Sequence, residues 1–274
     1  MYGERDLAES EVFGGGFCNF GYWTSLPRGY STQTRAAASA ELYRQVFEAL
    51  ERVHPRRRAV EIGVGRGWGA RLGIEEFGFG AIIGVDISPH QIDRLRLGQK
   101  DLVREGLLEG RVGRAESLPL DTGALDALYS VEALQHFTSQ ESFAREAARV
   151  LRPNAGFAAA TFFLRKREHI ARLRPLIPTV EQGITRPTAV EELVGPLERC
   201  GFEDVRVRAI GADVFPAFDA WLAIIGDRAG ERDNWGRNWL TCFEQEWIDY
   251  YVVSAIRGAS GQAGDHVLAA EAKD

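Results

Sequence analysis

One ten-residue stretch, Val60-Glu61-Ile62-Gly63-Val64-Gly65-Arg66-Gly67-Trp68-Gly69, constrains this chain more than any other. It reads as the end of a buried strand, a glycine turn and the start of a helix. At Gly63, Gly65 and Gly67 the backbone can turn sharply and a ligand can approach without a side chain in the way. A second apolar run, Ala81 to Val85, ends on Asp86. A carboxylate about 20 residues beyond such glycines is the usual acceptor for ribose hydroxyls in a nucleotide-binding βαβ unit.

Glu61 bears on which nucleotide is bound. A carboxylate two residues before the first glycine would repel a pyrophosphate and attract an ammonium group. S-adenosylmethionine (SAM) carries an ammonium, a sulfonium and a ribose, and no phosphate, so the order suits SAM. NAD stays open at this point, because Gly65-Arg66-Gly67-Trp68-Gly69-Ala70 also fits the dinucleotide pattern G-x-G-x-x-A.

Alternating units follow the loop. Strand 59–63 leads to a helix near 67–77, and strand 81–86 to a helix near 88–105 opened by Ser88-Pro89. Short strands are expected at 111–114 and 125–130, a helix at 139–151, a turn at 152–156 and a fifth strand at 157–164. Such alternation predicts an α/β fold, a Rossmann-like doubly wound sheet with helices on both faces and ligands at the carboxyl ends of its strands. Glu61, Asp86, Ala115, Glu116 and the segment from Ser130 to His136 all fall at such ends.

Before this core, residues 1–16 read as a mobile lead-in ending in Gly14-Gly15-Gly16. An aromatic patch, Phe17 to Trp23, follows as a lid or satellite cluster. A helix is expected from Thr34 to Val53, ended by His54-Pro55. Behind the core, residues 165–187 read as a cap insertion. A helix over 188–200 has Thr188 as N-cap and Gly201 as stop. Strands are expected at 205–210 and 250–256, with the last one antiparallel. The division is one domain over 1–257: lid and helix 1–53, core 54–164, cap and C-terminal strands 165–257. A frayed tail occupies 258–274.

Composition excludes several classes. Hydrophobic residues make up 45% and charged residues 26% of 274, ordinary for a globular protein. The net charge of −6 argues against nucleic-acid binding. No apolar run is long enough for a membrane span, and the charged start, Met1 to Asp6, lacks a signal core, so a cytoplasmic protein is expected. Cys18, Cys200 and Cys242 form no CxxC pair, and no metal site is expected. None of the seven tyrosines is followed four residues later by lysine, which removes a short-chain dehydrogenase. Only Lys100, Lys166 and Lys273 are lysines, a bias associated with G+C-rich bacterial genomes.

Taken in order, several motifs resemble the class I SAM-dependent methyltransferases of the small-molecule "GYW" type, which include tocopherol, sterol and antibiotic-tailoring enzymes. They are Phe20-Gly21-Tyr22-Trp23, Glu61-x-Gly63-x-Gly65-x-Gly67, Val85-Asp86-Ile87-Ser88, Ala115-Glu116-Ser117-Leu118-Pro119, Glu132-Ala133-Leu134-Gln135-His136, Arg149-Val150-Leu151-Arg152-Pro153 and Tyr250-Tyr251. The resemblance implies that Gly63, Gly65 and Gly67 line the methionine end of SAM with Glu61 nearby. Asp86 holds the ribose, Ile87 packs on the adenine, and Ala115 and Glu116 border its edge. Tyr22 and Trp23 close over the cofactor, and Gln91 and Val131 complete its contacts. Arg114 stands where the family often has an aspartate for the adenine amino group. Asn154 replaces the first glycine of a Pro-Gly-Gly turn, where a left-handed conformation is tolerated.

Methyl transfer is an in-line displacement in which alignment matters most. His136 is the candidate base and Glu132 its orienting partner or a substrate ligand. Phe215, Phe218, Trp221 and Trp239 suggest a flat aromatic or polycyclic acceptor, methylated on oxygen or nitrogen in bacterial antibiotic biosynthesis. The alternatives are C-methylation on the same fold and SAM binding without methyl transfer. An N-terminal segment packed across a homodimer is a further expectation.

Overall fold

The computed structural model describes residues 11–13, 15–53, 56–229 and 234–259. The lead-in at 1–10, Gly14, the helix stop at His54-Pro55 and the tail from 260 lie outside the described residues.

The helix α1 (Thr32–Glu48) opens on Ser31, whose side chain accepts from the Thr34 amide. It stops at Glu48 rather than Val53, because the chain passes into tight turns in which Leu50 N bonds Phe47 O and Val53 N bonds Leu50 O. Next come β1 (Arg58–Ile62), α2 (Trp68–Phe77), β2 (Ala81–Asp86), α3 (Pro89–Gly98), α4 (Lys100–Arg104), β3 (Leu108–Val112) and β4 (Leu125–Val131). They are followed by α5 (Gln140–Val150), β5 (Leu151–Leu164), α6 (Ile170–Leu173), α7 (Pro178–Glu181), α8 (Glu191–Arg199) and β6 (Phe202–Ala209). The chain continues through α9 (Phe215–Ala229), α10 (Asn238–Glu244) and β7 (Ile248–Arg257).

The seven strands form one sheet in the order β3-β2-β1-β4-β5-β7-β6. Strands β1 to β5 pair in parallel, and β7 runs antiparallel between β5 and β6. This is the Rossmann-like sheet that the alternation predicts. Period-two alternation divides its side chains between two faces. Ala59, Tyr129, Ala158 and Phe162 join one cluster with Leu42, Val46 and Phe47 of α1. Val60, Leu128, Phe157 and Phe163 join the other with Phe143 and Ala147 of α5 and Leu193 and Leu197 of α8. Burying each such leucine or phenylalanine contributes about 1.5–3 kcal/mol.

Several boundaries differ from the sequence expectations, each for a local reason. The helix expected over 88–105 breaks at Gln99, whose backbone leaves helical geometry (φ −116°, ψ 32°). The third strand begins at Leu108 and ends before Arg114. The turn at 152–156 lies inside β5 as a bulge, where pairing with β4 jumps from Leu151 to Gly156. Asn154 takes φ 63° there. Thr188 does not cap α8; its carbonyl accepts from Leu164 N, and Val190 is the N-cap.

The N-terminal segment is strapped over the sheet by Arg35, which is fully buried in α1. Its Nε donates to Val12 O at 3.0 Å, one Nη donates to Ser39 Oγ, and the other donates to Asn19 O. The guanidinium also lies 5.6 Å from the ring centres of Trp23 and of Phe218 in α9. Gly15 and Gly16 are not a loose lead-in. A Cβ at Gly15 would lie 2.4 Å from Ala36 Cβ, and one at Gly16 would lie 2.4 Å from Trp68 Nε1. Replacing Arg35 with methionine keeps the stem and removes every hydrogen bond. We expect Arg35→Met to cost about 3 kcal/mol in urea unfolding and to expose the segment around residues 12–20 to limited proteolysis before global unfolding. Unchanged cleavage would mean that the strap is held elsewhere.

Candidate active site

Over the carboxyl ends of β1, β2 and β4 lies a cavity of about 470 Å³, within the usual range for a small-molecule site. One half is built on the glycine loop. Gly63, Gly65 and Gly67 have φ values of 76°, 52° and 78°, the left-handed region that favours glycine. A Cβ at Gly63 would lie 2.4 Å from that of Ala133. Gly63 N and Val64 N both donate to Val85 O, so the loop is tied to β2. The break at Gln99 also serves this loop: its amide Nε2 donates to Arg66 O at 3.2 Å, and its Oε1 accepts from Arg71 Nε at 2.6 Å.

Asp86 ends β2 in the cavity wall. Its Oδ2 accepts from Gly65 N at 3.1 Å and its Oδ1 from Ser88 N at 2.9 Å. Ile87, Gln91, Arg114, Ala115, Glu116 and Val131 line the same half. Ile87 is 61% exposed, an apolar face open to a ligand. Gln91 Oε1 is buried with no hydrogen-bond partner among the described residues. Arg114 turns toward Glu116 (3.6 Å), and Glu116 Oε1 accepts from both Thr138 N and Thr138 Oγ1. The Glu116 carboxylate is thus already engaged.

Glu61 does not line the cavity. It has no exposed surface and lies behind the loop, where Oε1 accepts from Tyr43 Oη at 2.8 Å and Oε2 from Tyr129 Oη at 3.1 Å. Burial raises its carboxyl from 4.5 to about 8, against the lowering effect of both phenols.

The expected aromatic lid is displaced along the chain. Trp23 packs with Trp221 and Ile225 in a separate cluster. Its amide donates to Asp213 O, and Tyr22 N donates to Ala38 O. Neither ring lines the cavity; Phe17, Cys18 and Phe20 of the strap do. Aromatic count in the patch could not separate these neighbours, and only the pairing of Tyr22 with α1 does so.

The other half is aromatic. Phe20 stacks on Phe218 (4.3 Å, 9°) and faces Phe162 (5.9 Å, 13°), and Phe162 meets Trp239 at 4.5 Å. Leu222, Trp235, Thr179 and Thr185 complete this half. Phe215 and Trp221, expected here, are core residues with 1% and 0% exposure. Phe162, Thr179 and Thr185 were not singled out in the sequence; Phe162 lies in an apolar strand run, and neither threonine belongs to a motif.

Glu132 and His136 stand between the halves. Glu132 adopts φ 50°, a strained conformation for a non-glycine residue. Its Oε1 accepts from Phe20 N and, at 2.9 Å, from Tyr250 Oη. Burial raises its carboxyl to about 7. These bonds run to the strap and to β7. The His136 imidazole is oriented by Ile184, whose carbonyl accepts from Nδ1 at 2.9 Å. Burial lowers the His136 pKa, only partly offset by this carbonyl. Among the described residues no three His, Cys, Asp or Glu side chains gather as a metal would require.

Residues 60–159 match the methyltransferase domain family. Methyltransferase GfsG from Streptomyces halstedii is 28% identical over 237 residues, with 80% of each chain covered. An O-methyltransferase, rstn1, from Aspergillus nomiae is 29% identical over 164 residues, covering 60% of this chain and 70% of the relative. The solved geranyl diphosphate C-methyltransferase from Streptomyces coelicolor shares the fold with a TM-score of 0.72 at 14% identity, over 88% of this chain and 89% of that one. With a methyltransferase domain and methyltransferase relatives along most of its length, the chain is a SAM-dependent methyltransferase that acts on small molecules. Its cofactor is SAM, which sets aside the dinucleotide alternative.

The raised carboxyls give a pH dependence to stability. Between pH 4.5 and 8 the unfolded chain releases the Glu61 proton while the folded chain retains it, so stability falls as pH rises through that window. Glu132 adds the same sign up to about pH 7. We expect Glu61→Gln to flatten the fall in urea-unfolding free energy between pH 5 and 8. A slope equal to wild type would place the linkage elsewhere.

Proposed function

We propose that the enzyme methylates an oxygen or nitrogen of a flat, apolar acceptor, an aromatic or polycyclic compound of bacterial natural-product (antibiotic) biosynthesis. The observation that carries this reading is the continuity of one cavity from the glycine loop and Asp86, past His136, to the box of Phe20, Phe162, Phe218 and Trp239.

The cofactor half fits SAM. Asp86 would accept from the ribose hydroxyls, Ile87 would cover the adenine, and Gln91 Oε1 offers an unsatisfied acceptor. Gly63, Gly65 and Gly67 would line the methionine end. With Glu116 engaged by Thr138 and Arg114, the adenine edge is left to backbone atoms near Ala115. Glu61 acts on this half through the loop. SAM supplies an electrophilic methyl with a good leaving group, so the protein's part is alignment and proton removal.

His136 is suited to that removal. Donation from Nδ1–H to Ile184 O selects the tautomer in which Nε2 is the acceptor nitrogen. The lowered pKa keeps the ring neutral near pH 7, ready to take a hydroxyl proton as the bond to carbon forms. Glu132 is a positioning residue that fixes Phe20 and Tyr250 at the junction of the two halves. C-methylation on the same scaffold is distinguished by the product.

We expect His136→Ala to lower kcat about 100-fold or more with a hydroxyl acceptor, with an unchanged SAM dissociation constant. In wild type, kcat/KM should rise with pH through a midpoint below the ordinary histidine value of about 6.5, and the variant should lose that limb. An unchanged rate would remove His136 from the mechanism. Asp86→Asn should weaken SAM binding about tenfold in calorimetric titration, and equal affinity would overturn the ribose assignment.

A further inference from the structure

Beside His136 two hydroxyls lie together. The bond from the imidazole to Ile184 O brings the next residue, Thr185, to the same wall. Thr185 is 6% exposed, and its Oγ1 is 3.0 Å from Thr179 Oγ1. Both residues line the cavity. The turn that joins them is closed by the amides of Ile184 and Thr185, which both donate to Thr179 O at 2.9 Å. The pair is therefore held in place by backbone geometry.

Two hydroxyls joined by one hydrogen bond commit one proton to each other and keep the second for another oxygen. Two neighbouring side chains already hold hydrogen bonds. Gln135 accepts from Thr161 Oγ1 and donates to Glu132 O. Glu132 Oε1 is shared by Phe20 N and Tyr250. A few placed polar groups in an otherwise apolar wall are what orient a small ligand. The cavity's arginines, Arg66 and Arg114, belong to the cofactor half. A pair of hydroxyls is itself a fitting partner for a neutral oxygen.

We propose that Thr179 and Thr185 form a specificity subsite for a second oxygen of the acceptor, next to the group that faces His136. This rests on the aromatic-acceptor reading above and narrows it. The preferred acceptor is a flat ring system with two neighbouring oxygens, such as an ortho-diol or a hydroxyl beside a ring carbonyl.

The test is calorimetric titration of the protein saturated with S-adenosylhomocysteine, using 2,3-dihydroxynaphthalene and 2-naphthol as probes. The diol should bind about tenfold more tightly. Thr179→Val and Thr185→Val should bring the ratio of the two dissociation constants to about one, and Thr185→Ser should restore it. A packing lesion would shift both constants and keep their ratio. Equal affinities in wild type, or a ratio retained in both valine variants, would overturn the subsite and leave the aromatic acceptor standing. If neither probe binds while S-adenosylhomocysteine does, the aromatic-acceptor reading falls and the subsite with it.

Discussion

The carboxylate of Glu61 ties three layers together. It sits in β1 with no exposed surface, bonded to Tyr43 of α1 and Tyr129 of β4. A buried carboxyl is tolerated only when its hydrogen bonds are satisfied, and here satisfaction requires α1, β1 and β4 in one arrangement. Tyr43 in turn occupies the space above Gly69, where an added Cβ would come within 2.0 Å of its ring. The start of α2, and with it the end of the glycine loop, is therefore set from behind by the bond between Tyr43 and Glu61.

The sheet was legible because its period-two runs and glycine stops are local signals. Alternation calls for a parallel, doubly wound sheet, whereas the strand order β3-β2-β1-β4-β5 is seen only in the structure. The antiparallel direction of β7 has no local signal of its own. Boundaries failed where tertiary contacts override local pattern: Gln99 breaks a helix to reach Arg66 O, and the residues after Leu151 bulge within a strand that local signals read as a turn. Asp86 and His136, which the sequence places after strand ends, do line the cavity, as do Ile87 and Gln91. That Glu61 turns toward Tyr43 and Tyr129 is not legible, since spacing does not give the direction in which a side chain leaves a strand. Thr179 and Thr185 were invisible, because their role arises only when a turn after α7 is brought against the loop after β4.

Arg35 and Glu132 show how charge is used away from the reacting groups. Burial brings the Arg35 guanidinium down to about 10, still charged near neutrality, and its bonds fall largely on backbone carbonyls of the strap. Glu132 receives the strap's Phe20 amide from the opposite side. The strap is thus gripped by a cation from α1 and a carboxyl from the loop after β4, with the cavity between those grips and the sheet. Holding the segment through backbone atoms leaves its side chains, Phe17 and Phe20, to form the wall.

Phe20 belongs to both halves of the molecule's working space. Its backbone is part of the strap that roofs the cofactor half, and its ring is the central plate of the aromatic box, between Phe218 and Phe162. A displacement of the strap would therefore carry one plate of the aromatic box with it, so the shapes of the two halves are not independent.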